Sequence, residues 1–325
     1  MSQNGIPEKM RAVVLTKPTA AEDVTLTEID VPKVQPGWVL VKVKAFGLNH
    51  SEQILRLHEI EADYIRKPII PGIECVGEIA DPSDTNLKVG QKVVALMGGM
   101  GRSFNGGYAE YALLPAHHVF SIESHMSWKE IAAVPETYFT AWGSLFECLD
   151  LRPEDTLLIR GATCALGYVA LQIAKAIGCK VIATTHREEK LSLIEEADVA
   201  VVDDGDLRGK IEPVTKVLEL VGPKTVLNSL LLVKKRGIVC NTGVLGNVFA
   251  LNNFDPIKSI PNGVYLTGFH SNFPNQQIMT EIFAFFEKYG VSPKIGASYQ
   301  FEDITQAMID MDHHRVNGKM VVECR

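Results

Sequence analysis

The sequence predicts an α/β protein in which a doubly wound parallel sheet is inserted into a β-rich domain. Residues 11–122 consist of short alternating or β-branched segments separated by turn residues, which is typical of an antiparallel, barrel-like domain. From about Ser127, apolar strands alternate with helical patterns, as in a parallel sheet covered by helices. After Phe273 the pattern is mixed again, so we expect these residues to return to the first domain. The predicted domains are therefore 1–126 with 273–325, and 127–272.

The β-rich part contains six segments with strand character. Apolar residues alternate with polar ones or are β-branched, and segments such as KPTAAED and DPSDTN separate them as turns. The predicted strands are RAVVLT (11–16), VTLTEID (24–30), WVLVKVKAFGLN (38–49), CVGEIA (75–80), QKVVALM (91–97) and YAEYALL (108–114).

The second part begins with a helical pattern over 128–149 and continues as alternating strands and helices. Its strands are nearly continuous apolar runs, as a sheet that is buried on both faces requires. The predicted strands are 156–160, 180–185, 199–204, 225–230, 237–243 and 264–269, and the predicted helices are 166–177, 188–195 and a segment that ends near Leu220. The closing part is predicted to contain helices over 276–290 and 302–311 and a last strand over 318–323.

Composition and charge narrow the class of protein. A net charge of −7 at pH 7 gives no electrostatic reason to expect a nucleic acid or an anionic membrane as partner. The N-terminal sequence has no apolar core of a secretion signal, and no apolar run approaches the roughly 18 residues that span a bilayer. The six cysteines include no C-x-x-C pair, which is typical of reduced thiols. We therefore expect a cytoplasmic protein.

The loop Gly161–Gly167 follows a strand and opens a helix, which is the arrangement that binds dinucleotides. Only its two ends are glycine, but small residues occupy the positions where a large side chain would meet a pyrophosphate. We predict that the loop binds a cofactor through Thr163, Cys164, Ala165, Leu166 and Gly167. The alternative is a plain strand–helix turn without a ligand. Cys164 is interpreted as a small substitute for glycine, because no partner for a catalytic thiol is evident.

The next strand indicates which nucleotide the loop would bind. Chains that bind NAD carry a carboxylate about 20 residues past the loop, which accepts hydrogen bonds from the ribose. Here that place holds Thr184, Thr185 and Arg187, and Lys190 follows. Hydroxyls and cations suit a 2′-phosphate, so the predicted cofactor is NADPH. The alternative is that Arg187 and Lys190 are solvated charges that pair with neighbouring glutamates.

Seven segments, in order, carry a resemblance to a known family. They are VLVKVKAFGLNHSE, PGIECVGEI, KVGQKVVAL, GGYAEYALLP, ETYFTAW, RGATCALGYVALQIAK and NGKMVVE. The chain resembles the medium-chain dehydrogenase/reductase superfamily, in its zinc-independent, quinone oxidoreductase-like branch. The resemblance covers nearly the whole length, and it implies a GroES-like catalytic domain, a Rossmann domain that binds the cofactor, and a homodimer.

The chain departs from the zinc-using relatives at their metal ligands. Those enzymes have Cys where this chain has Asn49, and His where it has Ile73. Neither residue is a usual zinc ligand, and Glu74 alone is not a site. The stretch MGGMGRSFNGGYAEY also lacks the four cysteines of a structural zinc loop. We therefore expect no metal.

The resemblance also implies roles for individual residues. Asn49, Tyr64 and Thr140 match or lie near residues that contact substrate or nicotinamide, and these are the predicted catalytic residues. Further predicted cofactor contacts are Thr242, Gly243, Val244, Phe269, Ser271, Asn317 and Lys319. The structural alternatives are a turn cap for Asn49, a buried helix position for Thr140 and a simple loop for residues 242–244.

Without zinc, hydride transfer to an ordinary carbonyl loses its main electrophile. A quinone or an α,β-unsaturated carbonyl compound delocalises the arriving charge onto oxygen, where ordinary hydrogen-bond donors stabilise it. The predicted function is therefore NADPH-dependent reduction of such a small electrophile. Two alternatives are an alcohol dehydrogenase with unusual metal ligands and a non-enzymatic NADPH-binding protein of the same fold.

Overall fold

The computed structural model describes residues 5–324, which form two compact units. The first unit comprises the described residues up to Phe139 together with those from Asn272 onward. The second unit is the continuous segment Thr140–Ser271. The domain boundaries at 126/127 and 272/273 stay a prediction, although the helix over 128–132 contacts strands of the first unit.

The chain begins with strands, alternates between strands and helices in its middle part, and closes with a mixture of both. Up to the start of the second unit the elements are β1 (Lys9–Val13), β2 (Leu26–Asp30), β3 (Trp38–Leu48), α1 (His50–Leu57), β4 (Glu74–Asp81), β5 (Lys92–Leu96), β6 (Tyr111–Pro115), β7 (Val119–Ser121), α2 (Trp128–Ala132) and α3 (Pro135–Trp142). A π-helix (Gly143–Cys148) follows, and then β8 (Thr156–Arg160), α4 (Ala165–Ala176), β9 (Lys180–Thr185), a 3₁₀-helix (Glu188–Ile194), β10 (Val199–Val202), β11 (Val214–Glu219), α5 (Val226–Leu230), β12 (Val233–Asn241), α6 (Pro256–Ser259) and β13 (Tyr265–Gly268). The closing elements are α7 (Gln276–Tyr289), β14 (Ile295–Gln300), α8 (Ile304–Asp312) and β15 (Lys319–Glu323).

The first unit is built on a seven-stranded, mostly antiparallel sheet with the order β14-β15-β3-β4-β5-β7 and with β6 on β3. Strand β3 is long enough, at 11 residues, to pair with β15, β4 and β6 at different positions along its length. The late strand β15 therefore lies beside the early strand β3, as predicted for the closing residues. The core beneath the sheet includes Phe46, which stacks on Tyr108 and meets Phe301 edge to face.

The second unit is a six-stranded parallel sheet with the order β10-β9-β8-β11-β12-β13. Every pair in this sheet is parallel, so all six strands end at one edge. The strand order reverses between β8 and β11, and open α/β sheets bind ligands at such a switch point. The sequence predictions of an α/β fold and of a doubly wound parallel sheet in a β-rich protein are confirmed.

Two elements of the second unit were predicted wrongly, and a third was predicted as a helix without its type. The segment ending near Leu220 is strand β11, not a helix, and the predicted strand at 225–230 is helix α5. Apolar residues at 214, 217, 218 and 220 fit helical spacing, but this strand is buried on both faces, which removes the alternation that marks a strand. The predicted helix over 188–195 is a 3₁₀-helix.

Among residues 5–324, no helix is both long enough and apolar enough to cross a membrane.

Candidate functional site

The cofactor residues that were predicted in the second unit lie at the carboxyl edge of its parallel sheet. The loop Gly161–Gly167 follows β8, and Thr184 to Lys190 follow or end β9. Residues 242–244 follow β12, and residues 269–271 follow β13. Sequence positions more than 100 residues apart thus reach one edge, because the carboxyl ends of parallel strands lie together.

The loop after β8 brings the start of helix α4 close to the strand. Ala162 N donates to the carbonyl of Thr184 at 2.8 Å, which ties the loop to β9. A Cβ on Gly167 would lie 2.5 Å from the carbonyl oxygen of Ala162, so only glycine permits this approach of helix to loop. The N-terminus of a 12-residue helix and its free amides then face the edge. This backbone fits the phosphates of a dinucleotide.

Cys164 is the N-cap of helix α4. Its Sγ accepts a hydrogen bond from Gly167 N at 3.3 Å, which is the role that a serine or threonine usually takes. Burial raises the pKa of the Cys164 thiol and outweighs the nearby backbone amides, which act in the opposite direction. The thiol therefore stays protonated and serves as a cap, a role that glycine could not take.

The end of strand β9 combines buried hydroxyls with exposed cations. Thr184 and Thr185 are buried; the Thr184 hydroxyl accepts from Gly161 N at 3.2 Å, and the Thr185 hydroxyl accepts from Arg187 N at 3.4 Å. Arg187 Nε donates to His186 Nε2 at 3.1 Å. Burial, and then the charges of Arg187, Lys190 and Lys224, lower the pKa of His186. Burial is the main cause of this shift; the three cations add to it, and Glu189 opposes it.

The loop after β12 contains an unpartnered acceptor. Asn241 Oδ1 is buried and has no hydrogen-bond partner. Thr242 Oγ1, beside it, lies 2.8 Å from Ser144 Oγ, and Gly243 N donates to the carbonyl of Glu219 at 3.2 Å. A buried acceptor without a partner costs free energy unless a ligand or water supplies a donor. The carboxamide of a nicotinamide is such a donor, so these residues fit that group.

The remaining predicted residues of the second unit lie near this loop or in the helix that opens the unit. Phe269 N donates to the carbonyl of Asn241 at 3.4 Å, which places Phe269 beside the loop after β12. Ser271 is buried. Thr140 is buried in α3, and its carbonyl accepts from Ser144 Oγ at 2.7 Å. The contacts with cofactor or substrate that were assigned to these three residues stay predictions.

Buried charged side chains and their hydrogen bonds stabilise the same edge of the parallel sheet. The guanidinium of Arg160, at the end of β8, donates to both carboxylate oxygens of Asp203 at 2.6 and 2.9 Å. Glu219, at the end of β11, accepts from Val221 N, Gly222 N and Thr225 Oγ1 through Oε1 and from Ser229 Oγ through Oε2. These bonds fix the strand ends on both sides of the switch point.

In the first unit, Asn49 belongs to a polar cluster that is almost completely buried. Lys319 Nζ donates to Asn49 Oδ1 at 2.6 Å and to Glu74 Oε1 at 2.5 Å, and Asn49 Nδ2 donates to the same Glu74 oxygen at 2.9 Å. Lys319 and Glu74 are 3% and 0% exposed. A Cβ on Gly47 would collide with Glu74 Oε1, so glycine there makes room for the pair. We call Asn49, Glu52, Glu74 and Lys319 the Lys319 cluster.

Glu52 completes the Lys319 cluster and caps helix α1. Its carboxylate accepts from Asn49 N at 3.0 Å and from Ile73 N at 2.8 Å. Burial raises the pKa of Glu52 to about 7, the hydrogen bond from Ile73 N opposes this rise, and the charge of Glu74 adds to it. Asn49 occupies the N-cap position of α1, where its backbone carbonyl accepts from Glu52 N at 3.1 Å, and its predicted catalytic role stays a prediction.

The structure gives Lys319 other partners than the cofactor contact that was predicted for it. Its ammonium is enclosed within the Lys319 cluster, where it neutralises Glu74. Asn317, two residues earlier, is exposed. Tyr64 is 67% exposed, and its hydroxyl donates to Glu59 at 3.0 Å. The predicted roles of Tyr64 and Asn317 stay predictions.

Sequence reasoning did not single out several residues of these sites. Ser144 and Lys224 have no pattern of their own, because the fold alone brings them to this region. Glu74 was considered only as a possible metal ligand, and its partner Lys319 is 245 residues away in sequence.

Across residues 5–324, no group of three or more His, Cys, Asp or Glu side chains is placed to hold a metal ion. The expectation of a metal-free enzyme stays a prediction.

Comparisons with known proteins agree with this architecture. Residues 35–124 match the alcohol dehydrogenase GroES-like domain, and residues 165–318 match the family described as zinc-binding dehydrogenase. The quinone oxidoreductase of Mus musculus is 30% identical and aligns over 91% of this chain and 92% of its own. An alcohol dehydrogenase of Geobacillus stearothermophilus is 27% identical over 97% of this chain and 99% of its own. The structure of the crotonyl-CoA carboxylase/reductase AntE in complex with NADP has a TM-score of 0.86 at 22% identity and covers 98% and 96% of the two chains.

The two units and their sheet edge define an oxidoreductase of the type that uses a nicotinamide cofactor. The chain belongs to the medium-chain dehydrogenase/reductase superfamily, in its quinone oxidoreductase-like branch, which confirms the resemblance seen in the sequence.

Proposed function

We propose that this oxidoreductase uses NADPH to reduce a quinone or an α,β-unsaturated carbonyl compound. The observation that carries the choice of NADPH is the end of strand β9, where the buried hydroxyls of Thr184 and Thr185 are followed by the cations Arg187 and Lys190. No Asp or Glu stands at positions 184–187 to bind a free ribose 2′-hydroxyl. Cations at this place favour a phosphate.

Each part of the sheet edge has a task in binding the cofactor. The loop Gly161–Gly167 and the start of α4 would hold the pyrophosphate through backbone amides. Asn241 would hold the nicotinamide carboxamide through its unpartnered Oδ1. Thr242, anchored by Ser144, keeps that loop in place. The cofactor supplies the hydride, and these residues supply its position.

The choice of substrate class rests on the donor set of the first unit. At the places of the zinc ligands this chain has an amide, Asn49, and an alkyl side chain, Ile73. The Asn49 amide is already bonded to Lys319 and Glu74, so it is not arranged to polarise a carbonyl as a metal ion would. An acceptor that delocalises negative charge by itself needs less electrophilic assistance. Quinones and enones are such acceptors.

A fluorescence titration with NADPH and NADH tests the cofactor. We expect NADPH to bind at least about tenfold more tightly, a difference of about 1.4 kcal/mol. In the variant Arg187→Glu plus Lys190→Glu this preference should disappear, because both predicted phosphate contacts are reversed in charge. The control variant Lys180→Glu plus Lys234→Glu makes the same change in net charge at the amino ends of β9 and β12, and it should keep the preference. Equal affinities in the parent protein would contradict the proposal.

Turnover assays separate the competing functions. Oxidation of NADPH by quinones, enones and alkenals, in protein that metal analysis finds free of zinc, supports the proposed reaction. Alcohol oxidation that requires a bound metal would favour the alcohol dehydrogenase alternative. Tight NADPH binding without turnover on any of these acceptors would favour a non-enzymatic role.

We also propose that two copies of the chain form a homodimer. Strand β13 is an edge strand of the parallel sheet, and its Tyr265 is 56% exposed. Exposed edge strands pair readily with another chain. Light scattering on the purified protein should give twice the chain mass of 35.7 kDa. A particle with the mass of one chain would exclude the dimer.

A further inference from the structure

The imidazole of His186, directly after strand β9, accepts a hydrogen bond from the next residue of the chain. Arg187 Nε donates to His186 Nε2 at 3.1 Å. A ring nitrogen that accepts a hydrogen bond carries no proton, so the imidazole is neutral here and has its proton on Nδ1. His186 and Arg187 are both exposed, so Nε2 can take a proton from solvent when the guanidinium turns away.

Contacts of the adjacent residues join this strand end to the loop Gly161–Gly167. Thr185 Oγ1 lies 3.5 Å from Thr163 Oγ1, and it accepts from Arg187 N at 3.4 Å. In a dinucleotide the adenosine ribose is attached to the pyrophosphate, and residues at the end of the second strand contact its 2′ position. A 2′-phosphate bound there would lie within reach of both His186 and Arg187.

The groups around His186 favour the neutral imidazole as long as no anion is bound. Burial lowers the pKa of His186, the charges of Arg187, Lys190 and Lys224 lower it further, and the charge of Glu189 raises it. Three of these groups belong to the strand end and the 3₁₀-helix that follows, whereas Lys224 precedes helix α5.

The neighbouring strand β10 brings another carboxylate to the same edge. Asp203 follows β10, and its N donates to the Thr185 carbonyl at 2.8 Å. Its two carboxylate oxygens accept from the guanidinium of Arg160 at 2.6 and 2.9 Å. Because this charge is already compensated, Asp203 does not supply the counter-ion that a protonated His186 needs.

We propose that His186 is a ligand of the 2′-phosphate that takes up a proton when NADPH binds, and that it thereby contributes to the preference for NADPH over NADH. This inference rests on the proposed function, because it assumes that the phosphate binds at the end of β9. A phosphate monoester carries a charge of about −1.5 to −2 at pH 7, and a nearby anion favours the protonated form of an imidazole.

The proton comes from solvent and binds to Nε2, and the hydrogen bond between Arg187 and His186 breaks. His186 Nε2 and Arg187 Nε then both donate to phosphate oxygens, and hydrogen bonds between charged partners are the stronger kind. NADH has no 2′-phosphate, so it leaves the imidazole neutral and its bond with Arg187 intact.

Isothermal titration calorimetry in buffers of different ionisation heat measures the proton directly. We expect NADPH to take up about half a proton per site near pH 7.5, and NADH to take up none. As the pH falls from about 8.5 to about 7, the affinity for NADPH should rise relative to that for NADH, because protonation of His186 is linked to phosphate binding.

The variant His186→Gln keeps an oxygen that can accept from Arg187, but it has no group that takes a proton. It should lose the proton uptake and bind NADPH about fivefold less tightly, with the affinity for NADH unchanged. His125→Gln makes the same substitution at an exposed histidine of the first unit, and it should behave like the parent protein. A merely structural role of His186 would weaken the binding of both cofactors and leave the proton uptake in place.

The outcomes separate this inference from the proposed function. A parent protein that prefers NADPH but takes up no proton contradicts the role of His186 alone, and so does proton uptake that persists in His186→Gln. A parent protein that binds NADPH and NADH equally contradicts the proposed function and this inference together.

Discussion

Glu74 in the first unit and Glu219 in the second are both fully buried glutamates, but different kinds of partner stabilise their carboxyl groups. Glu74 is paired with a full positive charge, because Lys319 Nζ contacts its Oε1. Glu219 has no ammonium or guanidinium in direct contact within the described residues, and its bonds come from two hydroxyls and two backbone amides. Arg160 acts on it only through its charge.

The two carboxyl groups therefore differ in how strongly each depends on a single partner. A buried ion pair depends on both partners, because loss of one leaves the other charged and desolvated. A carboxylate held by neutral donors depends on the sum of several bonds, each worth about 1.5–3 kcal/mol because the acceptor is charged. Burial still raises the pKa of Glu219, since neutral donors recover only part of the desolvation cost.

The largest expected effect compares matched substitutions at these two glutamates. Glu74→Gln leaves the Lys319 ammonium buried without its carboxylate, so we expect a loss of about 3–5 kcal/mol of unfolding free energy. Glu219→Gln keeps an oxygen for Val221, Gly222 and Thr225 and weakens only the bond with Ser229, so we expect a loss of about 1 kcal/mol. Urea unfolding followed by tryptophan fluorescence measures both.

The double variant Glu74→Gln plus Lys319→Met sharpens this comparison. It removes both charges, so it should recover part of the loss caused by Glu74→Gln alone. Equal losses of unfolding free energy for Glu74→Gln and Glu219→Gln would show that the direct ion pair is no more important to stability than the bonds from neutral donors.

A smaller effect should appear in the pH dependence of stability, through Glu52. Burial raises the pKa of Glu52 from its ordinary value of 4.5 to about 7. The folded chain therefore retains this proton to higher pH than the unfolded chain, and stability falls as the pH rises from about 4.5 to about 7. The expected contribution is about 3 kcal/mol across that window. The difference in unfolding free energy between pH 5 and pH 7.5 should shrink by about 2.4 kcal/mol in Glu52→Gln. An unchanged slope would assign the pH dependence to other groups.

Sequence patterns predicted most of the fold, because local composition encodes most of its elements. The β-branched runs at 156–160 and 180–185 became β8 and β9, and the amphipathic pattern after Asn275 became α7. The errors lie where the pattern is ambiguous. Residues 214–219 and 226–230 are short apolar segments, and for these periodicity alone does not separate a strand from a helix.

The candidate sites were predictable only where one strand and its loop contain the residues. The loop Gly161–Gly167 and the Arg187–Lys190 pair could be found because each lies in a continuous segment. The partners of Asn49 could not be found, since Lys319 and Glu74 meet only through the pairing of β15 with β3 and of β3 with β4.

The position of Lys319 on strand β15 has a consequence for biosynthesis. Glu74 leaves the ribosome 245 residues before the lysine that neutralises it. Until β15 is synthesised, Glu74 lacks its counter-ion and β3 lacks one of its neighbouring strands. The second unit, in contrast, is the uninterrupted segment Thr140–Ser271, which can fold as soon as it emerges. The segment Thr140–Ser271 is therefore complete before Lys319 has been synthesised, and Glu74 acquires its counter-ion only near the end of translation of this sequence.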